Sequence, residues 1–180
     1  MKRIAIQGTR GSYSEEAVRE IFGSDASLLE CCDFDATFAA VESGEADNAV
    51  VPVENKIVGT IKSTCDLLKA SELRVLEQLR LRVRHVLAAP PGAAFDDLAS
   101  VRSHIEALKQ CRNFLCTNPQ LTQIIGTDTA SSIKAIIEKQ DLNCAAIGSR
   151  RAAELYKAEI IRENIADDSD NWTMFYLIGN

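Results

Sequence analysis

Apolar and polar positions along this chain follow two periods that keep replacing one another. In RIAIQG (3–8) a short apolar run reads as a buried strand. The next stretch, SYSEEAVREIF (12–22), puts Ala17, Val18, Ile21 and Phe22 on one face at helical spacing, and Ser12 with Glu15 gives the S-x-x-E pattern of a capping box. FAAVESGEAD (38–47) fits a helix closing near Gly44, and NAVVPVEN (48–55) fits a strand followed by a helix around TIKSTCDLLKA (60–70). Strict alternation at Leu79, Leu81, Val83, His85 and Leu87 predicts one strand within 74–90.

Beyond Pro90-Pro91-Gly92 the alternation of elements continues. ASVRS, LTQIIGTD and NCAAIGS read as strands, and HIEALKQCRNFL, ASSIKAIIEK and RRAAELY as the helices that follow them. Strands alternating with helices predict an α/β protein. The turns GTRGSYS, VENKIVGT, RSHIEA, GTDTASS and IGSRRAA each carry a strand into a helix. In open α/β sheets such turns gather ligands, because helix N-termini point into one crevice. GTRGSYS lacks the G-x-G-x-x-G spacing of a dinucleotide site.

The chain closes on DSDNWTMFYLIGN (168–180), where Thr173 is set among large apolar residues. Spacing alone makes it an ordinary β-branched strand residue. A length of 180 residues allows one domain or two small lobes. With 46% hydrophobic and 26% charged residues, and no apolar run near the roughly 18 residues that cross a bilayer, the chain reads as globular, without a membrane partner, and cytoplasmic. Its net charge of −6, without a dense basic stripe, argues against nucleic acid as a partner. The six cysteines form no CxxC pair and the two histidines lie apart, so neither a metal nor a disulfide framework is expected. Adjacent Cys31 and Cys32 receive no role.

Taken in order, the turns carry a longer set of motifs. Gly8, Gly11, Ser12, Tyr13 and Ser14 fit G-x-x-G-[ST]-[FY]-S, and Val51, Pro52, Val53, Glu54, Asn55 and Gly59 fit V-P-[IV]-E-N-S-x-x-G. Thr64, Asp66, Leu67 and Leu68 give T-x-D-L-L, and His85 with Leu87 gives H-x-L. SHIEALKQCRNFL matches S-H-P-Q-A-L-x-Q-C-x-x-F-L at Ser103, His104, Ala107, Leu108, Gln110, Cys111, Phe114 and Leu115. Thr129-Ala130 begins a helix as in S-T-A-x-A, A-A-E-L-Y is intact at 152–156, and Asn171, Thr173 and Phe175 fit N-x-T-R-F. Over essentially its whole length the chain resembles the catalytic domain of prephenate dehydratase.

That resemblance implies two α/β lobes with a central cleft, like type II periplasmic binding proteins, with lobe 1 at 1–76 plus 166–180, lobe 2 at 77–165, and no ACT regulatory domain. It implies decarboxylating dehydration of prephenate to phenylpyruvate in phenylalanine biosynthesis, without a cofactor. Thr173 falls at the family's catalytic threonine. Arg10, Gly11, Ser12, Tyr13, Asn55, Lys56, Gly59, Thr60, Thr129, Ala130, Asn171 and Phe175 become expected substrate contacts. A homodimer stays open, as does the choice between prephenate and arogenate.

The chain also departs from the pattern. Met174 replaces the arginine of T-R-F, Lys56 the serine of E-N-S, and Ile105-Glu106 the proline and glutamine of S-H-P-Q. Methionine cannot make the bidentate carboxylate contact that arginine makes. Lys56, with Arg10 as the alternative, is therefore expected to supply the missing charge for a dianionic substrate. A prephenate decarboxylase-like enzyme and a non-catalytic module for aromatic or keto acids are the alternative readings.

Overall fold

Why the chain divides where it does follows from strand pairing. The structure, a computed structural model, describes residues 1–180. Two compact units emerge, Met1–Val83 with Asn171–Asn180, and Arg84–Asp170.

In the first unit β1 (Lys2–Gln7) pairs in parallel with β2 (Ala26–Cys31) and β3 (Asn48–Asn55). The short β4 (Gly59–Thr60) folds back on β3. β5 (Arg74–Arg82) and the C-terminal β11 (Trp172–Gly179) complete the sheet in the order β2-β1-β3-β11-β5, with β11 antiparallel to both neighbours. Helix α1 (Tyr13–Phe22) covers one face: Ala17, Val18, Ile21 and Phe22 pack with Ile4, Ile6, Val50, Leu81, Phe175 and Leu177. Helices α2 (Phe34–Glu42) and α3 (Lys62–Ala70) supply Phe38, Val41, Leu67 and Leu68 to the other, against Ala5, Ala49, Val51 and Ile178. Coverage on both faces is why β3 and β11 read as apolar runs rather than as half-polar strands.

The second unit holds β6 (Val86–Ala89), β7 (Ser100–Ser103), β8 (Thr122–Ile125), β9 (Cys144–Gly148) and β10 (Glu159–Arg162), ordered β10-β6-β9-β7-β8. Its helices are α4 (Ile105–Gln110), α5 (Arg112–Thr117), α6 (Thr129–Lys139) and α7 (Arg150–Tyr156). Leu108, Cys111 and Leu115 pack on one face of the sheet with Leu87, Val101 and Ile147. Ala130, Ile133, Ile136 and Ala152 pack on the other with Ala88 and Ala146.

Several expected boundaries move. The chain crosses between units at 83/84 and 170/171 rather than 76/77 and 165/166, because β5 is paired with β11 along its length while Ile165 and Asp167 bond to His85 and Gln110. The alternation from Leu79 to Leu87 spans that crossing, so one expected strand becomes β5 and β6 in two different sheets. The helix expected over 104–115 breaks at Cys111 into α4 and α5. β2 and β10 were not expected, since ASLLEC and EIIR mix polar and apolar residues on edge strands.

Candidate active site

The register of β11 decides which face each of its residues occupies. Thr173 lies opposite Leu81 and Phe175 opposite Leu79, all on the α1 face. Side chains alternate along a strand. Met174 therefore lies on the other face, in a row with Glu54 of β3 and Arg80 of β5. The Arg80 guanidinium stacks over the Trp172 ring at 4.5 Å, a cation–π contact on that same side.

Thr173 is buried and its hydroxyl belongs to a polar cluster built from three separate stretches of sequence. Asn55 closes β3, directly opposite Thr173. Its Nδ2 approaches Thr173 Oγ1 at 3.0 Å, the Trp172 carbonyl at 2.9 Å and Asn171 Oδ1 at 3.1 Å. Its Oδ1 accepts from the backbone N–H groups of Ile57 and Val58, both at 3.0 Å, which shapes the turn between β3 and β4. Asn171 is wholly enclosed, and its carbonyl accepts from the Val83 N–H at 2.9 Å. Lys56 is exposed on the turn, and its N–H donates to the Trp172 carbonyl at 2.9 Å.

On the same side of the sheet, the loop before α1 is fixed by a carboxylate that the motif alone does not reveal. Gly8 and Gly11 take φ of 95° and 88°, the left-handed region where a side chain is disfavoured. Ser12 caps α1 by accepting from the Glu15 N–H at 3.3 Å. The expected capping box is altered on its return side: Glu15 Oε2 accepts from Gly11 N–H at 2.6 Å, while Ser12 N–H donates to the Thr9 carbonyl. Glu15 is 0% exposed, and its other oxygen pairs with Arg19 at 3.3 Å. A buried carboxylate needs such partners, because desolvation otherwise exceeds its gain. Arg10 is exposed, and its N–H reaches Glu30 Oε2 at 3.3 Å. Tyr13 packs against the α1-face cluster that contains Phe175.

The structure thus brings Asn55, Asn171 and Thr173 into direct contact, and places Arg10, Gly11, Ser12, Tyr13, Lys56, Gly59, Thr60 and Phe175 in the same unit. Thr129 and Ala130 belong to the other unit. There Asp128 caps α6 by accepting from Ser131 N–H at 2.7 Å. Phe175 and Ala130, at 2% and 0% exposure, are packed in their cores, and Asn171 is as fully enclosed. Glu15 and the Trp172 carbonyl were missed. The S-x-x-E spacing signalled the first, and nothing in the sequence signalled the second.

Three of the thiols are held protonated by their surroundings. Burial pushes Cys111 up to about 12 and raises Cys31 and Cys144. Cys32 is exposed and donates weakly to Asp33 Oδ2 at 3.4 Å.

The sequence model of the prephenate dehydratase family matches residues 4–180. Arogenate dehydratase/prephenate dehydratase 2, a chloroplastic protein of Arabidopsis thaliana, is 39% identical over 176 residues, covering 98% of this chain and 46% of the relative. The chain spans about half the length of the curated relatives it matches. Among solved structures, a prephenate dehydratase from Arthrobacter aurescens in complex with L-Phe superposes with a TM-score of 0.91 at 27% identity, covering 99% of this chain and 60% of that one. GqqA, described as a novel type of quorum quenching acylase, gives 0.89 at 32% identity, covering 99% and 64%. A nutrient binding protein from Burkholderia cenocepacia shares the fold alone, at 13% identity and a TM-score of 0.50 over 98% of this chain and 84% of that one.

Proposed function

The chain belongs to the prephenate dehydratase family, and from that premise we propose that it catalyses the decarboxylating dehydration of prephenate to phenylpyruvate, a step of phenylalanine biosynthesis. The observation that carries this reading is the Thr173 hydroxyl, buried on the α1 face and held by a dedicated amide. Prephenate bears a ring carboxylate and a C4 hydroxyl. As the ring-to-carboxylate bond breaks, its electron pair moves into the ring, and the C4–O bond breaks with its pair leaving on the hydroxyl oxygen. Carbon dioxide and water leave, the water having taken up one proton, and an aromatic ring remains. Such a reaction needs orientation, a hydrogen bond to the departing oxygen, and release of the carboxylate from water. Thr173 donates to that oxygen as its charge develops.

Around it, Lys56, with Arg10 as the alternative, supplies the cation for the anionic groups of the substrate. The six free thiols support a reducing compartment such as the cytoplasm, and no helix is long and apolar enough to cross a membrane. The decarboxylase-like and non-catalytic readings rested on the loss of the family arginine. Met174 lies on the opposite face of β11 from Thr173, so its substitution takes no group away from the Thr173 side chain's own face. Arogenate is the alternative substrate, in keeping with the name of the Arabidopsis relative.

The test is turnover by the purified chain. Phenylpyruvate appearing from prephenate, or phenylalanine from arogenate, is the expected result. Binding of either acid without product would leave the non-catalytic module standing and end the dehydratase reading.

A further inference from the structure

We infer that Asn55 is a positioning residue that fixes the Thr173 hydroxyl as a proton donor, and that it makes no contact with substrate. The inference rests on the dehydratase reading for its catalytic half and on hydrogen-bond geometry for the rest.

The two ends of the Asn55 amide are distinguished by backbone groups whose roles are not in doubt chemically. Ile57 and Val58 present N–H donors at 3.0 Å, so the atom facing them is the oxygen. The Trp172 carbonyl, which only accepts, lies 2.9 Å from the other end, so that end is the nitrogen. Rotating the amide would set oxygen against oxygen and N–H against N–H. Thr173 Oγ1, 3.0 Å from Nδ2, is therefore an acceptor toward Asn55. The two Nδ2 protons serve three acceptors, with Asn171 Oδ1 at 3.1 Å as the third, so one proton is shared.

A hydroxyl has one proton and two lone pairs. Once Asn55 occupies a lone pair, the Thr173 proton is turned away from the amide and is left for another acceptor. Accepting a bond also polarises the O–H that donates the next one. The departing C4 oxygen is the acceptor that chemistry requires there. Asn55 itself is 7% exposed, and all five of its short contacts are internal, which leaves its amide nothing to offer a ligand.

Asn55→Asp separates this role from a structural one. The carboxylate keeps an oxygen for Ile57 and Val58, but the oxygen that replaces Nδ2 forces the Thr173 hydroxyl to donate inward. We expect kcat to fall by about 100-fold with KM within about threefold, and amide hydrogen exchange at Ile57 and Val58 to stay protected. In the Thr173→Val background the same change should cost no more than about a further threefold, since the hydroxyl it misdirects is gone. A kcat for Asn55→Asp within threefold of the wild type, or a loss seen in KM alone, overturns the inference while leaving the dehydratase reading intact. Independently of turnover, and of whether Asn55→Asp folds, the Asn55 side-chain NH2 resonances should shift and exchange faster in Thr173→Val. Unchanged resonances overturn the inference. A wild type silent on both prephenate and arogenate ends the dehydratase reading, and the resonances alone then decide whether the clasp exists.

Discussion

Each unit buries a polar cluster next to the place where the chain passes between units, and the two clusters end differently. In the first, the Asn55 amide donates to both Asn171 and Thr173, the latter a side chain with a proton still to direct. In the second, His85 Nε2 and Gln110 Oε1 are hydrogen-bonded at 2.9 Å, while the His85 and Gln110 backbone carbonyls accept from the N–H groups of Ile165 and Asp167. That second cluster ties β6 and α4 to the segment returning toward the first unit. Burial of a polar group marks a constraint in both cases. What separates chemistry from architecture is whether the network leaves a hydroxyl proton turned away from its internal partner, as at Thr173, or spends its polar atoms within the fold, as His85 does on Gln110.

The sharpest way to break this contrast is to remove the terminal hydroxyl. Thr173→Val keeps the shape and the β-branch, and it leaves Asn55 its other acceptors. Loss of a hydrogen bond made to developing charge should lower kcat by about 10²–10³-fold, with KM little changed and thermal unfolding shifted by less than a few degrees. Steady-state kinetics beside a melting curve reads both. An unchanged kcat removes Thr173 from the chemistry and makes the two clusters alike.

Next in size is the cation. Lys56 follows Asn55 on the turn that the Asn55 carbonyl oxygen shapes, so the cluster that orients Thr173 also sets where Lys56 begins. Lys56→Ser should lower kcat/KM by roughly 30-fold if the ammonium meets a substrate carboxylate, about 2 kcal/mol, and by less than about fivefold if it is a rim charge. Arg10→Ala is the companion measurement. Should both stay within twofold, neither side chain meets a substrate carboxylate.

The second cluster answers to pH rather than to substrate. Burial holds the His85 imidazole below its usual 6.5, against a smaller opposing effect of the Gln110 bond. The unfolded chain then binds a proton more readily than the folded one, so ν_U exceeds ν_N and stability rises with pH. The contribution is complete above about pH 6.5 and is lost as the pH falls below it, by at most about 1.4 kcal/mol per pH unit. Melting curves from about pH 7.5 to 5.5 should show the wild type losing stability more steeply than His85→Gln. Equal slopes would mean that His85 is not the titrating group, and a matching loss of kcat in His85→Gln at pH 7.5 would erase the contrast from the other side.

Sequence patterning was enough to place α1, β3, α6 and β9, because the helices have a clean apolar face, the strands are continuous apolar runs, and each has a capping or turn residue at its end. It failed at Leu79–Leu87, where uniform alternation conceals a passage between sheets: strand period fixes which side a residue faces but says nothing of its pairing partner. The motifs single out Asn55, Asn171 and Thr173, which the fold links through the Asn55 amide. They could not show that two of the three are turned inward, since a side-chain amide that binds substrate and one that orients a neighbour look the same in sequence. Glu15 illustrates the reverse case. Its spacing from Ser12 was visible, yet its bond to Gly11 depended on the loop's left-handed glycines, which only the folded backbone displays.

The smallest expected effect tests whether the first cluster belongs to one face of β11 alone. Read as sequence, Met174 stands beside Thr173 and invites the idea that an arginine there would serve the same substrate group as Lys56. The register separates them, since Met174 shares its row with Glu54 and Arg80 while Thr173 shares its own with Asn55 and Leu81. An arginine introduced at 174 would meet a carboxylate on one side and a like charge on the other. Exposed cross-strand pairs of this kind are worth roughly 0.2–1 kcal/mol each, with opposite signs here. Met174→Arg should therefore change kcat/KM by less than about threefold, and Lys56→Ser combined with Met174→Arg should be no more active than Lys56→Ser, within the same factor. Kinetics of the two single variants and the double variant reads this directly. A recovery of tenfold or more in the double variant would show that a long side chain at 174 reaches around the end of the strand to the substrate, and the division of β11 into a chemical face and a structural one would have to be given up.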